Sequence, residues 1–120
     1  MALSYLALPI NPDEGFPQAF RLALRGRTYR FRLYANIRED LLDGATGPLD
    51  LPARGAFLAL SVDREEPDGP VTILRRKLVP GVRYKAAELA LTFPTMRVHP
   101  RNINGVGSFG SEVVGGVAVR

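Results

Sequence analysis

The sequence predicts an all-β protein, a small antiparallel β-barrel or sandwich with long irregular loops, organised as a single β domain over residues 1–120. Three observations carry this expectation. The stretch Gln18 to Asn36, QAFRLALRGRTYRFRLYAN, alternates apolar and polar residues on both sides of an Arg25-Gly26-Arg27 break. A period of two is the strand signature, because successive side chains leave a pleated chain on opposite sides. The ten prolines and twelve glycines call for many turns and short strands and leave little room for helices. Finally, 120 residues are enough to bury a core without staples, and no cysteine is present to make one.

The elements follow in order. Ser4 to Ile10 is a short apolar run closed by Pro9 and Pro12, and it reads as a first strand at a sheet edge, where a missing donor is tolerated. Asn11 to Gly15 is a turn cluster. In the central hairpin Phe20, Leu22 and Leu24 share a face opposite Arg21, Ala23 and Arg25; Tyr29, Phe31 and Leu33 then share a face opposite Arg30, Arg32 and Tyr34. Gly26 supplies the positive φ of a tight turn, as the second loop residue (Arg25-Gly26) or the first (Gly26-Arg27). The first choice pairs Leu22 with Tyr29 and Phe20 with Phe31, and sets Arg21 against Arg30. The second pairs Leu24 with Tyr29, Leu22 with Phe31 and Phe20 with Leu33, and sets Arg21 against Arg32. Apolar meets apolar either way, so the buried face is the same. Burying the six apolar side chains is worth roughly 10 kcal/mol gross at about 1.5–3 kcal/mol each. A lone ribbon is marginal in water, so further strands must cover it.

Between Ile37 and Gly55 the periodicity lapses, and the acids, glycines and prolines there predict a long loop with a short strand or a helical turn around Glu39 to Leu42. Ala56 to Val62 alternates again, with Leu58, Leu60 and Val62 on one face. An acidic turn, DREEPDGP, leads to a returning strand over Val71 to Val79, and Pro80-Gly81 stops it. Tyr84 to Leu91 reads as a helical turn, since KAAELAL is the best helix former in the chain, or as a strand, which Leu89, Leu91 and Phe93 favour. Met96 to His99 is a short apolar segment between Pro94 and Pro100. Asn102 to Ser111 is a glycine-rich loop, and Val113 to Val119 a terminal strand. The segments 37–55 and 102–111 are too long and irregular for simple turns, which makes them candidates either for segments that reach toward neighbours or for mobile surface loops.

Composition narrows the functional classes. No apolar run approaches the roughly 20 residues of a membrane span. The start, MALSYLALPINPDEG, has neither the basic flank nor the apolar length of a secretory leader, so the chain is expected to be used or assembled in a cytoplasm. The formal net charge is +4, and with lysine only at Lys77 and Lys85, arginine makes up 14 of the 16 basic residues. Its planar fork suits carboxylate or phosphate partners.

The motifs that would announce catalysis are weak. Gly105-Val-Gly-Ser-Phe-Gly110 has the spacing of a dinucleotide loop, but that motif works between a strand and a helix with an acid about 20 residues on, and only ten residues follow. Asp63, Glu65, Glu66 and Asp68 crowd one turn without the calcium-loop spacing and read as a solvated turn. His99, the sole histidine, has no serine or cysteine set beside it by a recognisable motif, and a loop-packing role is expected. No catalytic, metal-binding or cofactor-binding residue is assigned, and no cofactor or enzymatic activity is expected.

The basic residues remain. Arg21, Arg30 and Arg32 sit on the hairpin's outer face, where like charges directly opposite destabilise a sheet unless the face is wet or an acidic partner neutralises them. With Tyr34 on the same face and Arg75 and Arg76 on the second hairpin, they form the candidate partner-binding set: Arg21, Arg30, Arg32, Tyr34, Arg75 and Arg76. The alternative is an OB-like nucleic-acid-binding barrel, motivated by a pI near 10.0. Nucleic-acid sheets interleave exposed aromatics with basic residues, however, and only Tyr34 stands on the arginine face.

The order of motifs resembles a known family. A proline-bearing first strand leads to F-x-L-x-L-x-G-x-T-Y-R-F-R-L-Y-x-N (Phe20 to Asn36), then to an apolar strand and Ile73-Leu-Arg-Arg-Lys-Leu-Val-Pro-Gly-Val82, and a valine-rich strand closes the chain. This is similar to the small baseplate plug proteins of contractile-tailed phages, of the cyanophage type. The chain differs from that pattern in lacking tryptophan and in its longer segment 37–55. The resemblance implies a barrel-like or sandwich fold, no enzymatic activity, and a place in the virion at the tail baseplate, assembled in the host cytoplasm. It implies several copies around the tail axis, contacting hub, tail-tube, wedge or sheath proteins, with no membrane and no small-molecule substrate.

Overall fold

A computed structural model describes residues 4–44, 46–104 and 106–120. Its strands are β1 (Leu6–Ala7), β2 (Gln18–Leu24), β3 (Arg27–Ile37), β4 (Leu49–Asp50), β5 (Ala56–Arg64), β6 (Val71–Lys77), β7 (Arg83–Ala86), β8 (Leu89–Val98) and β9 (Glu112–Val119). Two short helices interrupt them, α1 (Glu39–Gly44) and α2 (Arg101–Asn104), with a 3-10 turn over Pro12–Glu14. One sheet runs β2-β3-β5-β6. The other runs β1-β9-β8-β4, with β7 also paired to β8. All pairings are antiparallel. No described strand of one sheet pairs with a strand of the other. Of the two architectures the sequence allows, the chain therefore forms the sandwich.

The hairpin adopts the Arg25-Gly26 turn, with Leu24 opposite Arg27, Leu22 opposite Tyr29, Phe20 opposite Phe31 and Arg21 opposite Arg30. Arg25 and Gly26 both have positive φ, 47° and 79°. That is the turn geometry whose twist matches the flanking strands, and it outweighs the modest cost of a left-handed arginine. The Phe20 and Phe31 rings stack at 5.1 Å. Tyr29, Phe31 and Leu33 are buried, while Phe20 and Leu22, on the edge strand, are half-buried. Leu58, Leu60 and Val62 of β5 extend this apolar face, and Leu89, Leu91, Phe93, Met96, Val98, Val113 and Val117 of β8 and β9 close over it in one cluster.

Of the two readings of Tyr84 to Leu91 the strand holds: the segment is a hairpin in which Ala86 faces Leu89 across an Ala87-Glu88 turn, with Ala87 at φ 52°. Helix propensity gives way to pairing with β8, which buries Tyr84 and Ala86. Pro94 does not divide two segments, since β8 runs through it. The register slips between Thr92 and Thr95, so Phe93 and Pro94 together oppose Gly115 in a bulge, the place where a strand tolerates proline. Gly115 is required by space. A methyl group there would lie 2.4 Å from the Phe93 ring.

The long segments lie against the body instead of reaching out. In 37–55 the Arg38 N–H donates to the Gly55 carbonyl, the Leu51 N–H to the Met96 carbonyl, and the Leu51 side chain is only 2% exposed. Ala45 lies outside the described residues. In 102–111 the buried Asn102 donates to the Gly107 carbonyl and accepts from Ser111 Oγ, and the Gly107 N–H donates to the Asp13 carbonyl. Part of the 105–110 glycine motif, Gly105, is outside the described residues. His99 sits in this corner with its Nδ1 accepting from the Arg101 N–H and its ring beside Phe109.

One polar cluster joins the sheets at the hairpin end. Glu88, in the β7–β8 turn, accepts from Tyr29 Oη, from Arg27 Nη1 at 3.2 Å and from Arg64 Nη1 at 2.6 Å, and Arg64 Nε also donates to Glu66. Burial pushes the Glu88 carboxyl up, but hydrogen bonds from Tyr29, its own backbone N–H and Arg64 together outweigh this and bring it down to about 2. Burial and the hydrogen bond to Glu88 raise the Tyr29 phenol to about 12.

Candidate partner-binding face

The outer face of the β2-β3-β5-β6 sheet follows from register. Rows across it read Arg21, Arg30, Asp63 and Thr72; then Ala19, Arg32, Ser61 and Arg75; then Tyr34, Ala59 and Lys77. The like-charge pair Arg21–Arg30 does occur, and the chain supplies much of its own neutralisation. Arg21 Nη2 bonds Glu65 at 2.7 Å, and Arg32 Nη2 bonds Asp63 at 2.9 Å, whose other oxygen accepts from Thr72 Oγ1 at 2.8 Å. Arg30 makes no ion pair among the described residues, but it lines a hollow with Asp63, Glu65 and Glu66. The acidic turn is therefore more than solvated surface: three of its four acids hold arginines, Asp63 on Arg32, Glu65 on Arg21 and Glu66 on Arg64. No group of three or more His, Cys, Asp or Glu among the described residues is placed to hold a metal.

The face is thus polarised. Its acidic-turn end is internally balanced. At the other end Arg75 and Lys77 make no ion pair among the described residues, and a groove of about 410 Å³ opens between Tyr34, Phe57, Ala59, Ser61 and Arg75. Lys77 Nζ lies 4.3 Å from the centre of the Phe57 ring. Beneath the groove, Ser61 is 3% exposed, and among the described residues neither its hydroxyl nor the buried Nε of its row neighbour Arg32 has a hydrogen-bond partner. Small side chains on the floor, an aromatic wall, Arg75 on the rim and Lys77 over the Phe57 ring give this end the chemistry that suits a carboxylate beside apolar atoms.

The six residues expected to act together are divided by the structure. Tyr34 and Arg75 line the groove. Arg21, Arg30 and Arg32 belong to the balanced end. Arg76 is on the opposite face, opposite Leu60 in register, with its guanidinium 5.7 Å over the Tyr84 ring. A bulge at Ile73 sets this arrangement: Thr72 faces outward opposite Asp63 while Leu74 and Arg76 turn inward. Phe57, Ser61 and Lys77 join the site without having been assigned to it. The alternation of AFLALSV does place Phe57, Ala59 and Ser61 opposite the Leu58-Leu60-Val62 face, and that was the available signal.

Fold and face together define an antiparallel β-sandwich with one internally balanced and one unbalanced basic end. Comparison with protein-family models, with curated proteins and with solved structures finds no match. No helix among the described residues is long and apolar enough to cross a membrane.

Proposed function

We propose that this chain is a non-enzymatic structural component of a contractile phage tail, seated at the baseplate hub and tail-tube junction, where several copies hold neighbouring tail proteins by shape and charge. The observation that carries the reading is the unbalanced end of the outer face, where Arg75, Tyr34 and Phe57 line a groove with no acid among its described lining residues and Lys77 lies over the Phe57 ring. Both sequence blocks that resemble the plug family fall in this sheet. The first is β2 with β3, and the second is β6 with the turn that follows. A compact sandwich presenting a charged sheet face suits a part that works by fitting between larger neighbours.

The test is cryo-electron microscopy and mass spectrometry of intact tails from particles encoding the chain. The expected result is ordered density for the sandwich at the tube–baseplate junction. Complete tails that lack the chain would refute the proposal.

A further inference from the structure

The edge strand of this face has a feature that side-chain charge alone does not account for. The Leu78 N–H donates inward to the Leu58 carbonyl. By the alternation of an antiparallel ladder, Arg76 then faces β5 with its backbone groups, and Arg75 and Lys77 direct theirs away from the sheet. The same alternation turns the Val79 N–H outward, and Tyr84 Oη accepts it at 2.7 Å while donating to the Lys77 carbonyl at 3.4 Å. The C-terminal end of the free edge is thus capped by a tyrosine from β7. Among the described residues no strand lies on the outer side of Thr72 to Lys77.

Such an edge invites another strand, and its residues decide which one. A second copy docking β6 against β6 would set Arg75, Arg76 and Lys77 against the same three cations, which is unfavourable. An extended segment bearing acids at alternate positions would instead place carboxylates beside Arg75 and Lys77 on the groove face, while its backbone pairs with the open N–H and C=O of Arg75 and the N–H of Lys77. We infer that β6 is a docking edge for an acidic β-strand of a partner protein, added antiparallel or parallel beside Arg75 to Lys77. The inference rests on the reading of this chain as a module working through protein contacts and names the partner's chemistry. The buried Ser61 hydroxyl next to Arg75 gives a carboxylate entering the groove a further donor.

The test uses the full chain and a fluorescein-labelled peptide of about eight residues alternating glutamate with valine and threonine, followed by anisotropy at low and moderate salt. Saturable binding is expected, with slowed hydrogen exchange at the Arg75 and Lys77 amides. Arg75→Gln keeps the outward N–H and should weaken binding several-fold. Arg75→Pro also removes that N–H, at an edge position where proline is tolerated, and should weaken binding by about a further tenfold. Both variants are first shown to melt like the parent. Equal binding of the two variants, equal binding of an all-glutamate peptide, or tighter binding of single-stranded oligothymidine would overturn the inference, and so would no binding at low salt. A chain that captures the peptide but is missing from tails defeats the phage-tail reading alone. A chain present in tails that ignores the peptide defeats the strand-docking inference alone.

Discussion

Glu88→Gln takes the negative charge out of the cluster that joins the two sheets while keeping its shape. In the parent the Glu88 carboxyl stands at about 2 against an ordinary 4.5, because the hydrogen bonds from Tyr29, its own backbone and Arg64 overcome the opposing effect of burial. At about 1.36 kcal/mol per tenfold, that gap corresponds to roughly 3 kcal/mol. The Glu88 side chain is 26% exposed and Arg27 lies largely in solvent, so screening reduces the expected contribution to about 2 kcal/mol. The sign follows from linkage. The folded value is below the unfolded one, so the contribution is fully present above about pH 4.5 and is lost as the pH falls toward 2. Other carboxylates titrate in the same window, and the informative quantity is therefore the difference between parent and variant. Urea unfolding followed by far-ultraviolet circular dichroism from pH 7 to pH 2.5 should show the parent more stable by about 2 kcal/mol at neutral pH, with most of that advantage gone at the acid end. An advantage that stays constant down to pH 2.5 would refute the assignment of Glu88 as the charged centre of the cluster.

Other expectations follow from the same geometry. Gly115→Ala drives a methyl group into the Phe93 ring at the β8 bulge and should cost about 1–3 kcal/mol, measured by chemical denaturation. Ala87→Gly relieves a left-handed alanine in the β7–β8 turn and should raise stability by about 0.5–1 kcal/mol, because the strain removed exceeds glycine's entropic penalty. Arg32→Ala leaves the buried Asp63 carboxylate with only the Thr72 hydroxyl and should destabilise by about 2 kcal/mol, whereas Arg75→Ala, which breaks no ion pair, should change the melting point little. At alkaline pH the Tyr29 phenol, raised to about 12 from 10.0, contributes stability that is intact below pH 10 and is lost as the pH rises through 12, visible as delayed tyrosinate absorbance.

How much of this was legible depends on whether local pattern or cross-strand context decides a residue's role. The inward set Phe20, Leu22, Tyr29, Phe31, Leu33, Leu58, Leu60 and Val62 follows from alternation, and burial against a second sheet leaves it no other face to use. The turn register was open because a glycine serves either loop position, and the twist of the strands selects Arg25-Gly26. Two bulges were hidden. Pro94 looked like a break because proline cannot donate to a ladder, yet opposite a glycine it fits a continuous strand. Alternation alone puts the adjacent Arg75 and Arg76 on opposite faces, and the extra residue Ile73 decides that Arg75 faces outward and Arg76 goes to the Tyr84 side. The arginine row was readable, but its internal neutralisation was not. Which carboxylate reaches which guanidinium is set by the β3–β5 register, and no spacing within a single strand encodes that. The Glu88 cluster was equally invisible, since its members come from β3, from β5 and from a turn of the other sheet.

The central claim is that partners are held by the unbalanced end of the outer face and not by arginine in general. Tail assembly with two charge-reversed chains tests it directly: Arg75→Glu with Lys77→Glu, and Arg30→Glu with Arg32→Glu. The first pair should give a protein that melts normally and fails to enter tails, while the second should lower the melting point by breaking the Asp63 pairing. Normal incorporation of a well-folded Arg75→Glu, Lys77→Glu chain would contradict the account.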